Sequence, residues 1–211
     1  VKISGKIATT AGRLLIGLNL AALLVATAGW ADSWEAIRAA SEKIVTVQAD
    51  FVQEKHLPFL ARPLTSTGRF FFQRPGSVRW EYVSPVKSIL VSRQGNTRRF
   101  VEQDGRWIAD AGVKMAGMQV VMGQISGWMS GRFSDSADFD AALVGSNKVV
   151  LTPKKAALSR IINRIELILS DAPGVVDTVT VVEGADAYTV WTFTHTRTNM
   201  PLPPAVFSRI P

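Results

Sequence analysis

Apolar and polar positions follow two different periods along this chain. Trp34, Ile37, Ser41, Ile44 and Val45 recur at helical spacing, with Asp32 and Ser33 as candidate caps and Glu35 in the first turn, and predict an amphipathic helix over 33–46. From Val47 the period drops to two. Val47, Ala49 and Phe51 alternate with Gln48, Asp50 and Gln53, and strands follow over 67–73, 78–82, 89–92, 97–102 and 106–109. Arg74-Pro75-Gly76, Ser84-Pro85, Gln94-Gly95-Asn96 and Asp104-Gly105 separate them as turns. Helical spacing returns over 115–133, where Met118, Val121, Met122, Ile125, Trp128 and Met129 share a face that Gly123, Gly127 and Gly131 interrupt, a weak helix. Strands then resume over 139–144, 148–152, 161–169, 175–182 and 187–194, and the proline-bearing tail from Met200 to Pro211 reads as extended.

Many local strands joined by tight turns predict a mainly β protein with some helix, its curved sheet antiparallel and one face in need of cover. The two helical stretches are the available cover. On one phase of the early strands lie Phe51, Phe70, Phe72, Val78, Trp80 and Tyr82, and the late strands add Ile165, Leu167, Trp191 and Phe193. These are either an ordinary core or the lining of an apolar cavity. A cover that is rich in methionine, Met118 and Met122 included, and broken by glycine suits a surface that repacks around apolar cargo.

The start of the chain reads as an address. Lys2, Lys6 and Arg13 precede an apolar run over 14–28, and Ala28 and Ala31 both close small-x-small cleavage sites, so 1–31 is expected to be a signal peptide and 32–211 a single domain. An uncleaved anchor is the competing reading, against which the run is short and broken by Asn19. Loss of 1–31 removes three cations and no acid, so the formal charge falls from +7 to +4. Export and this modest excess argue for the periplasm and against nucleic acid.

The chain has no Cys and two His, His56 and His195, which excludes thiolate metal sites, disulfides and thiol nucleophiles. Its serines lack a Gly-x-Ser-x-Gly elbow. Asp135, Asp138 and Asp140 lack the Gly and Glu of a calcium loop and read as a solvated turn. Neither catalysis, nor a metal, nor a cofactor is expected. Arg93, Arg98, Arg99 and Arg106 gather on one hairpin, for solubility or for docking to acidic partners or headgroups.

The run Gly68-Arg69-Phe70-Phe71-Phe72-Gln73-Arg74-Pro75-Gly76-Ser77-Val78-Arg79-Trp80-Glu81-Tyr82, then Pro85 and Ser88-Ile89-Leu90-Val91-Ser92, resembles the periplasmic outer-membrane lipoprotein carrier (LolA-like) family. Phe51-Val52-Gln53 and Leu151-Thr152-Pro153-Lys154 support it, and Val78 departs from it where well-studied members carry Phe. The resemblance implies an incomplete, unclosed β-barrel of about eleven strands under a helical lid. Its apolar interior would hold the acyl chains of lipoproteins in transit from an inner-membrane release complex to an outer-membrane acceptor, the carrier being a monomer. Arg74 matches the family arginine that ties the lid shut. The alternative is a relative that carries another acyl, glycolipid or polyketide-like product, or a periplasmic lipid sensor.

Overall fold

The computed structural model describes residues 34–93, 95–110, 116–172 and 174–210, with side chains in the second helix from Met122 onward. The expected leader over 1–31 lies outside these residues. Contacts group Val1–Ala36 as one unit and Ile37–Pro211 as a second, and the sheet belongs to the second.

A helix, α1, covers 34–42. Six strands follow: β1 (Thr46–His56), β2 (Leu64–Gln73), β3 (Ser77–Ser84), β4 (Ser88–Arg93), β5 (Asn96–Gln103) and β6 (Arg106–Ala109). Helix α2 (Ala116–Trp128) precedes β7 (Phe139–Val144), β8 (Lys148–Pro153), the short α3 (Ala156–Ser159), β9 (Arg164–Leu169), β10 (Val176–Val182), β11 (Tyr188–Thr198) and a 3-10 turn, Pro204–Phe207. The strands form one 11-stranded antiparallel sheet in the order β6-β5-β4-β3-β2-β1-β11-β10-β9-β8-β7. Since β6 and β7 are its two free edges, the sheet is an unclosed barrel. The chain walks outward from β1 to one edge and resumes at the other, and α2 lies on that crossing.

Two strand pairs set the concave face. Directly opposed residues point the same way, and Ala49, Phe70, Trp80 and Leu90 oppose one another across β1 to β4. Phe51 opposes Phe193 on one side and Gly68 on the other, which joins the early strands to the late ones. Leu167, Val179 and Trp191 continue the row.

The structure corrects several element boundaries: β2 starts at Leu64 rather than 67, β11 runs to Thr198 rather than 194, and α2 ends at Trp128 rather than 133. The first helix stops at 42 rather than 46, because Ile44-Val45-Thr46-Val47 is a β-branched run that favours the strand; Val45 is exposed rather than on the buried face. Residues 156–159 form α3, and β9 starts at Arg164 rather than 161. The tail is not extended throughout. Pro204 starts a 3-10 turn that buries Phe207 against the convex face of β3 and β4.

That convex patch explains why β2 and β4 do not alternate. Phe71, Ile89 and Val91 are buried on the side opposite the cavity, so Phe70-Phe71-Phe72 and Ile89-Leu90-Val91 are apolar on both faces. Arg79, 6% exposed, holds the cover in place: its guanidinium donates to Glu81 Oε2 at 2.9 Å and to the Val206 and Arg209 carbonyls at 3.2 and 2.9 Å. Arg79→Met is expected to cost about 2 kcal/mol, one charge-assisted group's worth, and to expose 204–210 to limited proteolysis while far-UV circular dichroism stays unchanged.

Candidate functional site

Between the concave face and α2 lies a cavity of about 50 Å³ with an almost wholly apolar lining. Val47, Ala49, Phe70, Trp80, Leu167, Val179 and Phe193 form its floor, Ile125, Trp128 and Met129 its roof, and Val175, Val176 and Thr196 its rim. Of the expected lining, Phe70, Trp80, Leu167 and Phe193 are brought together here. Phe51, Phe72, Ile165 and Trp191 are buried beside it rather than lining it. Phe51 packs edge-on to Tyr82 at 5.2 Å and tilted against Trp80 at 5.3 Å, and Trp191 stands edge-on to Trp80 at 6.0 Å. Val78 and Met122 line a separate, mixed-polarity groove on the other side of α2, together with Ser92, Arg93 and Thr97. The side chain of Met118 lies outside the described residues.

At about 50 Å³ the apolar space is far below the roughly 300–1,000 Å³ of a ligand pocket. Helix α2 above this space is intrinsically weak. Gly123 and Gly127 weaken it, and Ala116–Trp128 has neither an acid in its first turn nor a base in its last.

Arg74, in the β2–β3 turn, bridges the segment that ends α1 and the segment that follows α2. Its Nε donates to the Ile44 carbonyl at 2.6 Å, one terminal nitrogen to the Ser41 carbonyl at 2.8 Å and to the Met129 carbonyl at 3.2 Å, and the other to Ser130 Oγ at 3.0 Å. Ser130 passes its own proton to the Ser126 carbonyl at 2.8 Å, so the acceptor is fixed. The last carbonyls of a helix lack intrahelical partners and carry the negative end of its dipole. One guanidinium thus satisfies the C-terminal ends of α1 and α2 together and joins both to the sheet rim. Gly131, at φ +67°, makes the approach possible, since a Cβ there would collide with the Arg38 backbone.

Sequence reasoning from the residues alone reads Arg74 as a surface arginine before proline, and only the family resemblance singled it out. Its partners Ser41, Ile44 and Ser130 were not foreseen. Ser126 and Ser130, four apart at the end of a mainly apolar helix, were the available signal.

A small polar cluster sits inside the aromatic wall. The Tyr82 hydroxyl donates to Gln53 Oε1 at 2.6 Å. Burial pushes its phenol up to about 12, opposed in part by the Trp191 and Trp80 indoles and by the Arg99 charge. The unfolded phenol ionises near 10, so this contribution to stability is whole below pH 10 and is lost as the pH rises toward 12. A Tyr82→Phe variant is expected to lose less stability than the parent between pH 10 and 12, measured by urea titration at each pH. The indole N–H groups of Trp80, Trp128 and Trp191 are buried with no acceptor in hydrogen-bond geometry among the described residues.

Several of the remaining candidates are paired on the surface. Arg99 bonds Asp110 at 2.9 Å, and Arg98 lies 5.7 Å over the Phe100 ring. Asp138 pairs with Lys155 at 2.7 Å and Asp140 with Lys154 at 3.5 Å. His195 meets Asp50 at 3.0 Å, and His56 stacks on Tyr188 at 4.2 Å.

Residues 42–209 match the family model "Outer membrane lipoprotein carrier protein LolA". The outer-membrane lipoprotein carrier protein of Salmonella typhi is 28% identical over 147 residues, 67% of this chain and 68% of that one. Among solved structures, the chain is similar to a LolA superfamily protein from Nitrosomonas europaea, at 8% identity and TM-score 0.41 over 83% of this chain and 97% of that one. It is also similar to the MucA/MucB complex of Pseudomonas aeruginosa, at 17% identity and TM-score 0.46 over 84% of this chain and 60% of that chain.

Proposed function

The chain belongs to the outer membrane lipoprotein carrier (LolA) family, and on that premise we propose that it carries acylated lipoproteins across the periplasm. In this reading 1–31 is the export signal, the cargo's acyl chains enter between α2 and the concave face, and no bond is made or broken. The protein works as a monomer, loaded by an inner-membrane release complex and unloaded by an outer-membrane acceptor.

The observation that supports it is the pairing of an apolar space with a four-bond polar tie, made by Arg74, at the end of its roof. Burial of a CH₂ is worth about 0.8 kcal/mol, so one chain of roughly 14 carbons contributes about 11 kcal/mol. That is close to nanomolar affinity, and two or three such chains would never leave. A carrier must weaken its own grip, and a roof that has to be unfastened does so, because apparent affinity falls by the fraction of molecules that are open. Arg74 is the fastening in this reading.

The test is a release assay. Purified 32–211 is added to spheroplasts that are making radiolabelled lipoproteins, and the label in the supernatant is followed. Label that leaves the membrane in a one-to-one complex with the added protein supports the carrier reading. Label that stays on the spheroplasts, while the same preparation takes up a fluorescent fatty acid, moves the function to another acyl cargo.

A further inference from the structure

Resting on that reading, we propose that the cavity also recognises the carbonyl oxygen at the root of the acyl chain, and that the donor is the indole N–H of Trp128. The side chain of Trp128, the last residue of α2, lines the apolar cavity and is 5% exposed. Among the described residues its Nε1 has no acceptor. Trp80 and Trp191, 3% and 6% exposed, are in the same condition in the aromatic wall, with the Tyr82 oxygen near both but outside hydrogen-bond geometry. A buried donor left unpaired is costly, and folded proteins rarely keep one without a use for it.

The chemistry narrows the partner. An indole donates and cannot accept, so the ligand atom that completes Trp128 is an acceptor. A hydrocarbon tail has none. The first acceptor met at the end of a fatty acyl chain is the ester or amide carbonyl that attaches it. Trp128 also stands next to Met129 and Ser130, whose carbonyl and hydroxyl Arg74 holds. The acyl root is thereby located at the roof end of the cavity, beside the tie, with the tail running down toward Phe193 and Leu167. Phe in place of Trp keeps the ring contact and deletes the donor.

The experiment compares two lipids with identical 14-carbon chains, dimyristoyl phosphatidylglycerol and its ether-linked dialkyl counterpart, which lacks both carbonyls. Each competes with a fluorescent fatty acid for 32–211, for Trp128→Phe, and for a protein with benzothienylalanine at position 128, where sulfur replaces N–H in an isosteric ring. The parent is expected to prefer the ester by about three- to ten-fold, the worth of one neutral hydrogen bond in a dry site. Both altered proteins are expected to bring that ratio close to one with ether affinity unchanged. In ¹⁵N spectra, the indole resonance missing from Trp128→Phe should shift with ester and stay in place with ether. An ester preference that survives both replacements, or a parent with no preference, overturns the proposal. If the fluorescent fatty acid itself does not bind, the acyl-cavity reading has failed and the carbonyl site fails with it; if it binds and neither lipid displaces it, the carbonyl site is overturned and the cavity stands.

Discussion

Arg74→Leu will hold acyl cargo more tightly than the parent and give it up more slowly. The substitution removes four hydrogen bonds at once: the Ile44 and Met129 carbonyls and the Ser130 hydroxyl lose the guanidinium as donor, and the Ser41 carbonyl keeps only the Ile44 N–H. These groups sit at two helix ends, so the cost falls on the closed arrangement of α1, α2 and rim and not on the sheet. A tie worth about 2 kcal/mol keeps the open form near 3%, and its loss raises that form to about half, which tightens apparent binding about 15-fold. Titration with a fluorescent fatty acid reads the affinity, and stopped-flow displacement reads the release rate. Unchanged affinity and release at unchanged circular dichroism would remove Arg74 from the account.

Gly68→Ala will cost more stability than its one carbon suggests, about 3 kcal/mol or somewhat more. Gly68 stands opposite Phe51 at the bulge where β2 shifts register against β3. A Cβ there would run into the Glu81 carbonyl oxygen and the Phe51 ring. The carbonyl belongs to a paired strand, and the ring is wedged among Trp80, Tyr82 and Phe193, so neither can step aside. For a domain of this size the loss corresponds to a fall in Tm of about 6–12 °C. A fall under 2 °C would mean that the aromatic wall is looser than these contacts imply.

The parts of the fold that were legible in the sequence are those where one face is dry and the other wet. Val47-Ala49-Phe51 alternates because only its concave side is covered, Val78-Trp80-Tyr82 alternates because the residues between them, Arg79 and Glu81, are polar even where the tail covers them, and turns such as Asp104-Gly105 carry their own conformational reason, with positive φ at both residues. Legibility fails where a second face is covered by distant chain. Phe71 and Ile89 gave no sign that Phe207 would fold back over them, because the contact joins residues more than 110 positions apart. The same limit applies to the site. Phase identified Phe70, Trp80, Leu167 and Phe193 as inward residues, but period alone does not separate a residue that lines a space from one that fills it. Phe51 and Phe72, equally in phase, turn out to be packed solid. Arg74 was beyond residue-level reading for a different reason: its three carbonyl acceptors are backbone atoms, which leave no trace in side-chain identity.

The claim at the centre of the account is that the space beneath α2 opens for acyl chains. Native mass spectrometry of the protein recovered from the periplasm of the cells that make it, with lipid extraction of any added mass, addresses this directly. The account predicts a fraction carrying one acylated lipoprotein, and a larger such fraction for Arg74→Leu. Protein without added mass in both forms, which also takes up no fluorescent fatty acid, would contradict it and return Phe70, Trp80, Leu167 and Phe193 to the role of an ordinary core.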